Sequence, residues 1–468
     1  MLTALVLLPV LGAVATALVP GVRAAKITAI AASLATLALT VVVALQFAVG
    51  GPLYQMTEQV TWIAPLGLSW SLGLSCISLA LVALTAVATP IVLGAMWSEA
   101  DATGRSVKAY YALVLSLQAM VMGAFLATDV LLFYILFEAM LIPMYFLIGV
   151  YGGDKRQYAA MKFLLYNLLG GLLMLAAVIG LYLQSPAGER TFGLAELVAL
   201  DIDSTTQGWL FLGFMVAFAI KAPLWPLHTW LPDAATEAPS SQAAYLSGVV
   251  DKVGTFGMVA LVLPLFPDAT QTFAPVVVTL AVISVLYGGL LAIGQTDIKR
   301  IIAFSSISHF GVIVLGIFAL TSQGTSGSTF YMVSHGLSTA ALFIVGGFLI
   351  ARRGSRRLAD FGGVQKPAPI LAGFMLVAGL SGLAMPGLAT FVSEFLVLVG
   401  TFSRYQVAAA LATFGIVLAA LYILIMYQRT MTGPTTPETE NTPDVRGREA
   451  IIVAPLFALL IALGVAPT

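Results

Sequence analysis

Apolar runs of about twenty residues, long enough to cross a hydrocarbon core of about 30 Å as a helix, recur along nearly all of this 468-residue chain. In lipid every backbone N–H and C=O must be satisfied within its own segment, so such runs fold as helices. Segments near 2–20, 28–49, 74–97, 109–127, 129–150, 158–182 and 208–231, then 241–264, 273–295, 297–320, 328–351, 370–402, 406–428 and 449–466, predict an all-α integral membrane protein of about 14 spans. The whole of 1–468 is expected to be a single polytopic membrane domain. Charged residues make up only 9% of the chain, against about a quarter in soluble proteins. The run at 2–20 has no basic residue before it and no small-residue cleavage site, which predicts a first span rather than a signal peptide.

Basic residues test the span count, because Lys and Arg collect on the cytoplasmic side. Of the 21 in the chain, seventeen follow odd-numbered spans, from Arg23 and Lys26 through Arg352, Arg353, Arg356 and Arg357 to Arg446 and Arg448. Only Arg190 and Arg404 follow even-numbered ones. The alternation predicts cytoplasmic odd loops, with both termini on the periplasmic side of a bacterial inner membrane. Two basic residues remain, Lys221 and Lys252, and both fall inside spans.

An ionised residue at a helix centre costs roughly 2.5 to 3.5 kcal/mol on insertion scales, so it is rarely kept without a partner or a water path. Glu138, Lys221, Lys252 and Glu394 all lie mid-span, and His309 and His335 occupy the interiors of the tenth and eleventh spans. Lys and His tuned by burial and by neighbouring charges can exchange protons near neutral pH. A carboxylate beside Lys221 would hold it protonated, and withdrawing that carboxylate would favour release. Glu138 is the candidate partner.

Pro223 and Pro226 follow Lys221, and Pro386 and Gly387 precede Glu394. Spans 7 and 12 are therefore predicted to be broken helices. Interruptions at corresponding positions of two halves point to an ion path in repeat-built transporters. The halves would be spans 4–8, about 109–264, and spans 9–13, about 273–428.

Each charge also has a plainer reading. Glu138 and Lys221 could form a static ion pair, Lys252 could pair with Asp251, and Glu394 could face water. His309 and His335 could be neutral and bonded to hydroxyls, and His228 is read as structural. Asp129, Asp154 and Asp297 are read as interfacial anchors. The cluster RRGSRR at 352–357 is read as a topology signal that could touch anionic lipid or a neighbouring subunit. Cys76 is the sole cysteine and the histidines number three, too few to hold an iron–sulfur cluster through four thiolates. No metal site is expected, and any redox chemistry is expected in other chains.

The stretches FYILFEAMLIPMYFLIGVYGG at 133–153, KAPLWPLHTWLPDAATEAPSSQAAYLSGVVDKVGTFG at 221–257 and DIKRIIAFSSISHFGVIVLG at 297–316 resemble the antiporter-like subunits of respiratory complex I. Within that family they most resemble the M-type chains of NADH:quinone oxidoreductase, counterparts of the fourth mitochondrially encoded chain. The resemblance covers about 105–430. It implies a fourteen-helix bundle with two inverted five-helix repeats. It also implies that Glu138 and Lys221 are paired, that Lys252 is the central lysine, and that His309 and His335 lie on a connecting hydrophilic axis. Glu394 would be the terminal residue of the path, where L- and N-type chains carry lysine.

By the same resemblance FMN, iron–sulfur clusters and quinone belong to partner chains, with no cofactor held by this one. Its partners would be the L-, N- and K-type membrane chains, the hydrophilic arm and the lipid bilayer, with no nucleic acid. Two departures stand out: Asp251 precedes Lys252 where an apolar or neutral residue is usual, and GLATF follows Pro386 where GTNSF is usual. Family members continue past GVAPT, so a short C-terminal tail is expected beyond it. Two other functions fit the same bundle. One is a subunit of a monovalent cation/proton antiporter or a membrane-bound hydrogenase. The other is a structural spacer between true pumps.

Overall fold

The computed structural model describes residues 1–95, 97–186, 188 and 190–466. All fourteen expected segments contain helix. Among the described residues eleven helices are long and apolar enough to cross a membrane. The remaining expected spans, 2–20, 208–231 and 370–402, are covered by shorter or broken helices. Two compact units account for the chain. One is Met1–Leu93, Ala100–Ala222 and Val249–Ala274, and the other is Gly94–Glu99, Pro223–Gly248 and Pro275–Thr468.

In the first unit the expectation of an all-helical chain needs one correction. Gln55–Ile63 and Leu68–Leu74 form an antiparallel hairpin between the second and third spans. A run this short cannot span, and its Thr, Val, Trp and Ile residues suit a pleated surface. Glu58 on the hairpin accepts from the backbone N–H groups of Leu2 and Thr3, both at 2.9 Å. It thereby satisfies donors that the start of helix Leu2–Leu18 leaves open.

Helices Arg156–Gln184 and Ser204–Lys221 pack through small residues, as helices do where no water drives them together. A Cβ on Gly170 would meet Ala217 Cα at 3.1 Å, and one on Gly213 would meet the carbonyl of Leu173 at 3.0 Å. The helix of the expected span 129–150 is interrupted at Met140, between Val130–Ala139 and Leu141–Tyr151. Pro143 is the physical reason, since it has no N–H for the carbonyl of residue 139.

The second unit is built around Ile298–Phe318, whose candidate span is buried over its whole length. A helix so enclosed needs no solvent-facing stripe, so its apolar residues lie on every side and its polar Ser305, Ser306, Ser308 and His309 are buried with them. Asp297 starts it by accepting from the N–H groups of Lys299 and Arg300. Asp129 does the same for Leu131 and Leu132 in the first unit, with identical backbone angles. Both aspartates are therefore helix caps, a more definite role than interfacial anchoring.

Both expected breaks are present. Helix Ser204–Lys221 stops at Lys221 and helix resumes at Trp230–Glu237. The other break separates Pro369–Gly382 from Ala389–Phe402, with Ala384 at φ 57° and Gly387 at φ 93°. Backbone freed inside a membrane has to be satisfied by side chains. Ser284 Oγ accepts from Trp225 N–H at 2.7 Å, and Thr390 Oγ1 donates to the Ser381 carbonyl at 2.7 Å.

Two arginines of the RRGSRR cluster are tied into the second unit. Arg352 donates to the Pro443 and Asp444 carbonyls and to Glu449. Arg356 holds Asp297 and Glu237 at 2.7 and 2.8 Å and donates to the Thr236 carbonyl. These arginines brace the ends of helices, a use that a count of basic residues cannot reveal.

Candidate functional site

In the first unit Lys221 is the last residue of its helix, where the terminal carbonyls carry partial negative charge and favour a cation. Its side chain is completely buried. Nζ stands 5.0 Å from the centre of the Phe137 ring and 5.9 Å from that of Phe163, over their electron-rich faces. Neither Lys221 Nζ nor Glu138 Oε1 has a hydrogen-bond partner. The two groups nonetheless interact electrostatically. They are neighbours without a direct hydrogen bond. This is not the geometry of a locked ion pair, and buried polar atoms left open mark where water or a proton must be accommodated.

Glycines create the room. Gly171 on Arg156–Gln184 faces the Glu138 carboxylate so closely that a Cβ would occupy its space. A Cβ on Gly254 would meet Ala222 N at 2.8 Å, the Phe218 carbonyl at 2.9 Å and Lys221 Cβ at 3.0 Å. Helix Lys252–Gly257 can therefore lie directly on the helix end that bears Lys221. Gly171→Ala removes no charge but displaces the Glu138 carboxylate. It is expected to lower proton transport several-fold in a chain that still assembles, since a small misplacement of a reacting group is costly. Transport measured per assembled chain checks this, and an unchanged rate would count against a role for the Glu138 position.

Lys252 and Asp251 are both completely buried. They lie between π-helical turns at Leu246–Val250 and Met258–Val262, irregularities that collect at functional sites. Both carboxylate oxygens of Asp251 lack a hydrogen-bond partner, and its charge acts on Lys221 as well as on Lys252. Asp251 is thus a member of the first cluster. The sequence marked it as a departure from pattern and a candidate partner of Lys252, but gave no link to Lys221.

In the second unit His309, His335 and Glu394 come together. His309 Nδ1 is 2.7 Å from the Tyr331 hydroxyl, and that hydroxyl donates to Glu394 Oε2 at 3.0 Å. Tyr422 Oη lies 3.4 Å from His309 Nε2. The His335 and His309 rings are 5.3 Å apart, and His335 Nε2 is 3.0 Å from Thr339 Oγ1. His228 packs edge-on against Tyr287 at 5.2 Å, outside this cluster. Sequence reading missed the tyrosines because a lone Tyr in an apolar span carries no pattern.

Close helix packing sets the register of this cluster. A Cβ on Gly327 would meet Val397 N at 2.8 Å, and one on Gly324 would meet the Gly316 carbonyl at 2.6 Å. Ser322–Arg353 therefore approaches Ala389–Phe402 at Gly327 and Ile298–Phe318 at Gly324, in each case backbone to backbone. One turn along from Gly327, Tyr331 faces Glu394. Beyond that the Ser334 and Ser393 hydroxyls pair at 2.8 Å.

Among the described residues no group of three or more His, Cys, Asp and Glu could hold a metal ion. The chemistry available is the movement of protons between carboxylate, ammonium, imidazole and phenol.

Residues 127–419 match the family described as NADH:quinone oxidoreductase/Mrp antiporter, TM. The chain is 51% identical to NADH-quinone oxidoreductase subunit M of Mycobacterium tuberculosis, over 100% of this chain and 91% of that one. It is 39% identical to NADH-quinone oxidoreductase subunit M of Rickettsia prowazekii, over 94% of this chain and 89% of that one. Among solved structures, a chain of respiratory complex I from Thermus thermophilus with bound NADH superposes with a TM-score of 0.92 at 31% identity. That match covers 100% of this chain and 96% of the other.

Proposed function

We propose a proton-translocating role for this chain, which belongs to the family of NADH-quinone oxidoreductase subunit M. It is an antiporter-like, multi-pass membrane subunit of that enzyme. The role proposed is non-redox: electrons pass from NADH to quinone in other chains, where FMN and iron–sulfur clusters reside. Here that reaction drives protons across the bilayer. Partners are the L-, N- and K-type membrane chains and the hydrophilic arm. The setting is a bacterial inner membrane, with fourteen spans that include two five-helix repeats and with both termini periplasmic.

The observation that carries this reading is the buried first-unit cluster. Lys221, Lys252 and Asp251 are fully enclosed, and Lys221 Nζ and both Asp251 oxygens lack hydrogen-bond partners. A purely structural role would not favour so many unsatisfied polar atoms. Glu138 modulates the protonation of Lys221, Lys252 and the histidines relay, and Glu394 delivers toward the exit.

Lys252→Met in the assembled complex tests it. NADH-driven proton uptake into inside-out vesicles is expected to fall several-fold, with NADH oxidation by an artificial acceptor unchanged. Full uptake would remove Lys252 from the path. The cation/proton antiporter alternative predicts something else, an exchange of Na⁺ or K⁺ for protons that needs no NADH. Relatives named subunit M at 51% and 39% identity favour the first reading. The spacer alternative predicts that every such variant pumps normally and loses only stability.

A further inference from the structure

We propose that Tyr331 is a proton-relay residue, carrying the proton between His309 and Glu394. The inference rests on the translocating role assigned above and adds a residue to it. Tyr331 is completely buried. Its hydroxyl lies between His309 Nδ1 at 2.7 Å and Glu394 Oε2 at 3.0 Å, both within ordinary hydrogen-bond range.

A phenol has one hydrogen to donate. While Tyr331 donates to an ionised Glu394, it can only accept from His309, so His309 carries its hydrogen on Nδ1. The Tyr422 hydroxyl can then donate weakly to a neutral Nε2 at 3.4 Å. When His309 becomes imidazolium, one concerted shift is available. The His309 Nδ1–H bond breaks as a new O–H bond forms on Tyr331. The original Tyr331 O–H bond breaks as an O–H bond forms on Glu394. One proton has moved from imidazolium to carboxylate, no electron has changed hands, and the phenol is neutral before and after.

After the shift the Tyr331 hydrogen points to His309 and the protonated Glu394 donates to Tyr331. Before the next proton can pass, Glu394 must deprotonate, the hydroxyl must rotate back and His309 must regain a hydrogen on Nδ1. The hydroxyl orientation thus records which end holds the proton, and the reverse shift stays open until Glu394 gives its proton up. Backbone contact at Gly327 keeps Tyr331 and Glu394 at this spacing.

The assembled complex in inside-out vesicles provides the test. NADH-driven proton uptake is scored per complex for Glu394→Gln, Tyr331→Phe and the double variant. Tyr331→Phe keeps the ring and removes the relay oxygen. Each single change is expected to lower uptake roughly fivefold or more, in line with losing a positioned proton-transfer group. The double variant should be no worse than the more severe single, because both open the same chain.

Normal uptake in Tyr331→Phe beside a defective Glu394→Gln would overturn the relay and leave the translocating role standing. Normal uptake in Glu394→Gln would overturn the exit role and the relay with it. Fluorotyrosine at 331 separates relay from packing, since it keeps ring and hydroxyl but makes the phenol a stronger donor. A relay predicts a displaced pH profile of uptake, and an unchanged profile overturns the proposal. If Tyr331→Phe does not assemble, the fluorotyrosine profile decides.

Discussion

Lys221→Ala or Glu138→Ala is expected to reduce NADH-driven proton uptake by roughly tenfold or more while the complex still assembles, because each removes a group whose protonation is the transported event. Assembly should survive, since Lys221 Nζ and Glu138 Oε1 make no hydrogen bonds that the fold would miss. Lys221→Arg should not restore uptake, although it keeps the positive charge. A guanidinium stays protonated under all ordinary conditions and cannot hand its proton on. Uptake in proteoliposomes, scored against NADH oxidation and against the amount of assembled chain, checks all three variants. Near-normal uptake in Lys221→Arg would mean that charge alone matters at this position and that the lysine does not titrate.

The second large effect falls on stability. Arg356→Ala would take one partner from each of Glu237, which is only 6% exposed, Asp297 and the Thr236 carbonyl, all of which it now holds. Leaving a buried acceptor unsatisfied costs about 1–3 kcal/mol. The Arg356 side chain is 37% exposed, so water can replace part of what is lost. A net loss of about 2 kcal/mol is then expected. The midpoint of thermal unfolding in detergent, and the fraction of chain recovered in the assembled complex, should both fall. Arg357→Ala serves as the control. It removes a charge from the same topology signal, and no side-chain partner of Arg357 takes part in this network. Equal losses in the two variants would return the whole cluster to a topology role.

How much of the candidate site was legible in the sequence differs between its two clusters. Glu138, Lys221, Lys252 and Glu394 were visible because an ionisable residue in an apolar span contrasts with its neighbours. The breaks at spans 7 and 12 were visible because proline cannot continue a helix. Asp251 is legible in the sequence as unusual and as a neighbour of Lys252, but its place beside Lys221 depends on helix Lys252–Gly257 lying on the end of Ser204–Lys221. Gly171 and Gly254 were invisible as site residues. A glycine among 44 says nothing until the atom that its missing Cβ would strike is known.

The interruption at Met140 and the hairpin at 55–74 fell between the patterns that hydropathy detects. The first is a local consequence of Pro143 inside an otherwise apolar run. The second is a strand pair too short to register beside spans of twenty residues.

Taken alone, the sequence determined that the chain is a multi-span membrane protein and which of its charges lie within the spans. It could do so because hydrocarbon thickness and the cost of burying charge act on each segment independently. Only the tertiary structure decided which of those charges meet. It left Glu138 and Lys221 close without a hydrogen bond, drew Asp251 into their cluster, and set Tyr331 between His309 and Glu394. Such pairings depend on the rotation and register of packed helices. Those are set by small residues and backbone contacts far apart in the chain, and they have no local signature.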